Sequence, residues 1–476
     1  MQASWISYGC LILLIGIDNG CNAFLDHLMK RVQKKWMTSW QRMRDQQVRP
    51  RMFAQINLQG SPSIVQTMAS RQGNIELAVS LHNATADTVS LLHMHGIDQW
   101  LNHRSNVAIN TVASYMGWPN AVGKVEGDVI PDSENTYWWM TSTSFPPQGT
   151  EGQIVLLPVS KVNSSLPLSP MVVSSSEIEQ NWYYSKIEWV DMNQDGWLDV
   201  VTSRSRGRSE SIQFSQLLWY ENPGYGLLWS RGRWRSHTIT NGPDMSFEVL
   251  RIPLPSGESR LVIIGAGHWD NKLYAVWTED PEENWANVDA INERVIDNHG
   301  WFYDVQVADV NADGRVDIIA STWTPGIKQG SVIVYEIPCD FSRDKWRRHI
   351  LIDGAVDMPL PDLGSGGKIK IFHPTLRQGQ VSQKKKPFIL VSGDDEGRVY
   401  VLIPNSRRTN DWEYTSHTVY KTSGPVGALA VDDINHDGFM EIIIPVVDGH
   451  KLVFFTYKPS EIGPHYFVDE TSVASP

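Results

Sequence analysis

Three short stretches of this 476-residue sequence space their oxygen-bearing side chains as a cation site would. They are Asp191-Met-Asn193-Gln-Asp195-Gly-Trp-Leu-Asp199, Asp309-Val-Asn311-Ala-Asp313-Gly-Arg-Val-Asp317 and Asp433-Ile-Asn435-His-Asp437-Gly-Phe-Met-Glu441. Ca²⁺ takes six to eight oxygens, and alternate carboxylates and amides on a tight loop supply them. A glycine permits the sharp turn, and the carbonyl after it (Trp197, Arg315, Phe439) fills the seventh position. The last acid stands at position nine and not twelve, which excludes an EF-hand. We therefore expect structural Ca²⁺, each ion holding a hairpin in shape, and no organic cofactor.

A second set of residues is aromatic with a few titratable groups. His268, Tyr303 and Arg204 are the candidates to donate a hydrogen bond or a proton, and Trp182, Tyr183, Phe247, Trp269, Trp301 and Trp323 are the candidates to line a substrate site. Mostly apolar walls with sparse polar groups describe a small-molecule pocket. Each of these aromatics has packing between repeated units as its ordinary alternative.

The elements that must position them repeat along the chain. Each acidic loop runs into an apolar β-type run (Val-Val-Thr-Ser, Ile-Ile-Ala-Ser, Ile-Ile-Ile-Pro), then a glycine-containing turn and a second run. The second runs start near 153, 216, 271, 331, 398 and 451, a period near 60 that continues where the acidic loop is missing. Gly, Pro, Asn and Asp punctuate the short strands, and no helical period shows after residue 60. Six units with three or four short strands each predict an all-β fold, a β-propeller of about six blades, or seven. Residues 60–140 are less legible and are expected to give a seventh blade or the closing strand. In a propeller the start of each inner strand and the turn between its second and third strands reach one face, opposite the acidic loops. That rule gathers the aromatic set at one mouth.

The three loops with their flanking strands resemble FG-GAP/VCBS repeats, and Tyr220-Glu-Asn-Pro223 with Trp234 and His237 is similar to the tail of that repeat. The overall plan resembles the fungal hetero-Diels–Alderases of tropolone sesquiterpenoid pathways, and more distantly the propeller part of aldos-2-ulose dehydratases. The resemblance implies loss of water from a hydroxymethyl-tropolone and [4+2] capture of the o-quinone methide by a humulene-type alkene. It carries no catalytic residue across. A Ca²⁺-stabilised binding or adhesion propeller without catalysis is the alternative; a sugar lyase or dehydratase would call for more carboxylates and arginines in the channel.

Charge and termini bound the partners. With 41 Lys and Arg against 53 Asp and Glu, net charge −12, nucleic acid is not an expected partner. Residues 5–17 form an apolar run of signal-peptide length, so 1–23 are expected as a leader, and sequons at Asn83 and Asn163 suit the secretory pathway or secretion. Residues 24–59 hold most of an excess of eight basic over three acidic residues within 1–59. Over 24–43 they read as a basic amphipathic helix fit for peripheral membrane contact. The propeller is expected over 60–460, with a tail over 461–476.

Overall fold

In a computed structural model the chain forms seven four-stranded antiparallel sheets. The structure describes residues 49–459 apart from internal stretches, the longest being 143–151, 160–169, 175–181, 225–233, 354–366 and 376–384. The leader, the segment 24–48, both sequons and the tail lie outside the described residues.

Blade 1 holds β2 (Ser61–Ala69), β3 (Ile75–His82), β4 (Val89–His95) and β5 (Ala108–Ser114), and blade 2 holds β6 (Pro119–Lys124), β7 (Thr136–Ser142), β8 (Ile154–Val159) and β9 (Met171–Val172). Blade 3 follows with β10 (Tyr183–Val190), β11 (Asp199–Arg208), β12 (Ser211–Glu221) and β13 (Arg235–Asn241). Blade 4 is β14 (Ser246–Pro253), β15 (Ser259–Gly267), β16 (Lys272–Thr278) and β17 (Ile291–Asp297). Blade 5 is β18 (Trp301–Ala308), β19 (Asp317–Thr324), β20 (Gln329–Glu336) and β21 (Arg347–Asp353). Blade 6 is β22 (Ile369–Phe372), β23 (Phe388–Ser392), β24 (Arg398–Pro404) and β25 (Tyr414–Lys421). Blade 7 combines β26 (Ala430–Asp432), β27 (Glu441–Val446) and β28 (Lys451–Thr456) with β1 (Arg51–Asn57).

The fold is thus a seven-bladed propeller. The six second runs read from the sequence start the third strands of blades 2 to 7, and β4 is the seventh. The closing strand is β1, which begins at Arg51, inside the segment expected to be an extension. It pairs with β28 from Arg51↔Thr456 to Asn57↔Lys451. Its apolar residues explain the pairing: Phe53, Ala54 and Ile56 pack on one interblade cluster and Met52 on the next. A second clasp joins the inner strands of blades 1 and 7, where Ala428 N donates to Ser63 O at 2.8 Å and Val65 N to Ala428 O at 3.1 Å.

The middle strands are near-continuous apolar runs rich in β-branched and aromatic residues, as in Ile154–Val159, Glu441–Val446 and Lys451–Thr456, because both faces of each sheet find a neighbour. Seven apolar clusters result, each built from residues of two adjacent blades. Among the described residues one α-helix interrupts the pattern, α1 (Ile97–His103), where Ile97 is buried and Trp100 and Leu101 pack with it. Two turns are too short for a helical period to stand out in the sequence. Among the described residues no helix is long and apolar enough to cross a membrane.

Candidate functional site

The acidic loops turn as their spacing dictates. In all three, the residue after the Asn and the following Gly take left-handed backbone angles: φ is 61° and 88° at Gln194 and Gly196, 61° and 92° at Ala312 and Gly314, and 55° and 85° at His436 and Gly438. The first Asp then accepts the N–H groups of positions five and six, at 3.1 and 2.9 Å on Asp191, 3.0 and 2.9 Å on Asp309, and 3.0 and 2.9 Å on Asp433. Asn193, Asn311 and Asn435 accept from the same fifth position and donate to its carboxylate.

The ninth acid does different work. Asp199 accepts Met192 N and Asn222 N, Asp317 accepts Val310 N, and Glu441 accepts Ile434 N and Thr456 Oγ1. Burial raises Asp199 and Asp317 to about 7 and Glu441 to about 8. The first three side chains are oxygen donors suited to a hard cation, and the ninth acid accepts backbone N–H groups that close the loop. Among the described residues no three Asp, Glu, His or Cys side chains converge to hold a metal. As placed, these loops are hairpin turns satisfied by their own backbone.

At the opposite face, blades 4 and 5 bring four of the candidate residues together. His268 follows β15, Trp269 comes next in the turn, and Trp301 and Tyr303 open β18. The His268 ring lies 4.9 Å from Trp269, 4.9 Å from Trp301 and 6.1 Å from Tyr303, all edge-on, and the two indoles are 5.8 Å apart. Trp323 is the cross-strand partner of Trp301. It is buried, while Trp269, Trp301 and Tyr303 are half-buried.

Two devices hold this rim, and neither was read from the sequence. Asp244 receives His268 N at 2.7 Å and Trp269 N at 3.0 Å, so its carboxylate fixes the turn. Burial raises Asp244 to about 7. Asn271, at φ 60°, accepts Gly300 N at 3.0 Å and donates to Asn298 O at 3.1 Å, tying the turn to the start of β18. Gly267 lets the Asp270 side chain pack beneath the turn, since a Cβ there would stand 1.8 Å from Asp270 Oδ1 and displace it. The signal was the Gly-Pro-Asp sequence 242–244 ahead of an inner strand, a turn motif.

His268 is 6 % exposed, and its Nδ1 is buried with no hydrogen-bond partner. Burial lowers its pKa to about 4, so the imidazole is neutral near pH 7. On the segment before β18, His299 is exposed and its Nδ1 lies 2.7 Å from Asp297 Oδ1. Tyr335 donates to the other oxygen of Asp297 at 2.7 Å. The pair sits on the loop that leads to Trp301.

Other candidates fall elsewhere. Trp182 is 3 % exposed between Arg204, 4.0 Å over its ring, and Arg206 at 4.8 Å. Arg204 donates to Gln216 Oε1 from Nε and Nη2 at 3.1 and 2.8 Å, and to Tyr220. This is a closed packing unit of blade 3. Phe247 is 0 % exposed and belongs to the cluster between blades 3 and 4, with Trp219 and Trp285. Its phase explains this: Phe247 follows the buried Tyr184 and Phe302 of neighbouring inner strands, and not Tyr183 and Tyr303 one step away. Tyr183 is half-buried, and burial together with the Asp244 carboxylate holds its hydroxyl well above the usual range.

No known protein family matches this sequence, so the FG-GAP/VCBS resemblance rests on its loop residues, and no curated protein matches either. Among solved structures, the chain is similar to one described as the Dos1 propeller, at 9% identity and TM-score 0.46, covering 88% of this chain and 99% of that one. It is likewise similar to an S. cerevisiae assembly of Dbp5 with Nup159, Gle1, IP6 and ADP, at 9% identity and TM-score 0.46, over 86% of this chain and 95% of that one.

Proposed function

We propose that the chain is an enzyme that binds a hydrophobic small molecule at the rim formed by Trp269, Trp301 and Tyr303. One observation carries this reading: a buried, neutral His268 with an unpartnered ring nitrogen among those aromatic rings. A polar atom without a partner costs stability, and a ligand that hydrogen-bonds to it would recover that cost. Half-buried indoles supply apolar walls, and the Asp244 carboxylate keeps the turn in place without meeting the ligand.

The reaction we propose is the hetero-Diels–Alder sequence implied by the resemblance. The hydroxymethyl-tropolone loses its hydroxyl and its tropolone O–H proton together as one water, giving the o-quinone methide, and the alkene adds across the oxygen and the methylene carbon of that intermediate. The protein's part is to hold both partners in reactive geometry and to donate a hydrogen bond from His268 or Tyr303 to the departing hydroxyl. Arg204, bound to Gln216 and Tyr220, is left to packing in this reading. The test is to incubate the full chain with both partners: stereodefined product above the buffer control, reduced roughly 100-fold by His268→Gln, supports it. Product equal to buffer sinks it.

The second reading, a Ca²⁺-stabilised binding propeller, draws on the three acidic loops alone. Asp191, Asn193 and Asp195 and their counterparts would supply oxygens to the ion. A melting temperature raised by millimolar Ca²⁺ and lowered by chelator supports bound Ca²⁺; identical curves remove it.

A further inference from the structure

The inner strands of four consecutive blades carry charges that neither the acidic loops nor the aromatic rim use. Lys186 on β10 pairs with Glu248 on β14 at 2.8 Å and with Glu188 at 2.9 Å. Gln306 on β18 donates to the same Glu248 oxygen at 3.3 Å. Lys368, one residue before β22, pairs with Asp304 at 3.4 Å, and its ammonium lies 5.1 Å over the Tyr303 ring. Asp304 is further occupied by Ser246 Oγ and Ile369 N, each at 2.9 Å.

Lys370 is the odd member. It stands two residues beyond Lys368 on β22, so both side chains leave the same face of the strand. Lys186, Lys368, Asp304 and Glu248 are the charges that act on its ammonium. Among the described residues, that ammonium makes no hydrogen bond and no ion pair. Burial lowers its pKa, Lys186 and Lys368 lower it further, and Asp304 and Glu248 oppose them. Glu248 and Asp304 are already held by their own lysines and hydrogen-bond donors.

Lys370 is half-buried, and its ammonium stands near two others, Lys186 and Lys368, whose repulsion an anion would offset. An arriving anion is the partner that the arrangement lacks. Lys368 connects this position to the rim, because its ammonium covers Tyr303, which in turn stands beside His268. We propose that Lys370 docks the acidic group of an amphipathic organic anion whose apolar body lies on Tyr303, Trp301 and Trp269. This rests on the small-molecule reading of the rim and adds the charge class of the ligand to it.

Two fluorescent probes of similar aromatic body separate the two ideas: 8-anilinonaphthalene-1-sulfonate, an anion, and N-phenyl-1-naphthylamine, which is neutral. The full chain binds both, and Lys370→Gln weakens the anion about tenfold, the size of one charge-assisted hydrogen bond, while the neutral probe is unchanged. Lys370→Arg keeps the affinity for the anion. Lys370→Met raises the melting temperature, since it removes a charge repelled by Lys186 and Lys368, and this shows that loss of binding is not loss of fold. Equal affinity of Lys370→Gln and wild type for the anion overturns the anion site and leaves the rim standing. An equal loss for both probes makes Lys370 a packing residue and also overturns it. If neither probe binds the wild-type chain, the rim and the anion site fall together.

Discussion

Blade 3 and the junction of blades 4 and 5 present aromatic and cationic or imidazole groups at matching places in the repeat, yet they resolve them in opposite ways. In blade 3 the Trp182 ring is covered by Arg204 and Arg206, and Arg204 is bound in turn by Gln216 and Tyr220. At the junction, Trp269, Trp301 and Tyr303 remain half-buried around an imidazole nitrogen that has no partner. The first is closed by its own polar partners, and the second leaves an imidazole nitrogen unpartnered. Residue type alone does not tell the two apart; the pattern of hydrogen bonds does.

The contrast breaks most clearly at Trp182. Its replacement by Ala should cost about 3–5 kcal/mol in urea unfolding, the range for a fully buried large aromatic, with no change in probe affinity for the chain that remains folded. A loss of affinity without loss of stability would move blade 3 into the site.

Acidity tests the junction next, with two groups of opposite sign. Folded His268 stays neutral down to about 4, whereas an unfolded histidine titrates near 6.5. Unfolding therefore takes up a proton between those values, and His268 costs stability as pH falls from 6.5 toward 4. Asp244 holds its proton up to about 7 in the fold and only to about 4 when unfolded, so it adds stability as pH falls from 7 toward 4. Relative to wild type, His268→Gln should gain up to about 3 kcal/mol on acidification across that window, and Asp244→Asn should lose a similar amount. Urea midpoints at several pH values read both, and parallel curves for all three proteins would refute the assignment.

Arg204→Met should cost roughly 1–3 kcal/mol by leaving Gln216 Oε1 without the two donors that Arg204 supplies. Probe affinity should stay at the wild-type value, and a drop in it would restore Arg204 to the site. Trp301→Ala sharpens the other side with the smallest change in stability, below about 1.5 kcal/mol for a half-buried ring, together with at least a tenfold loss of neutral-probe affinity. Intact affinity would remove the rim from consideration.

Much of this architecture was legible in the sequence because the acidic loops and the runs after them repeat with little change. Blade 1 was not, because Ser61 to Ser114 lacks the acidic loop, and α1 lengthens the path between β4 and β5. The closing strand was hidden by Arg49 and Arg51, whose charge joined Met52–Ile56 to the basic stretch before it. At the rim, His268, Trp269, Trp301 and Tyr303 could be placed together by counting positions in the repeat. Phe247 could not, because period two decides inside from outside and a one-residue error reverses the answer. Asp244 and Lys370 were out of reach, since their significance lies in which atoms have partners, and that is fixed only when the blades meet.

The pairing of β1 with β28 has a kinetic consequence. Residues 51–57 meet residues 451–456 across almost the whole described chain, so the ring is fastened by a contact of very long sequence separation. Blades 1 to 6 are each complete within a local stretch of chain and can form as the chain emerges. Blade 7 cannot, and until β28 arrives β1 is a bare strand edge beside apolar residues. A chain halted before Lys451 would carry nearly every residue of the rim and still present an open, self-associating ring.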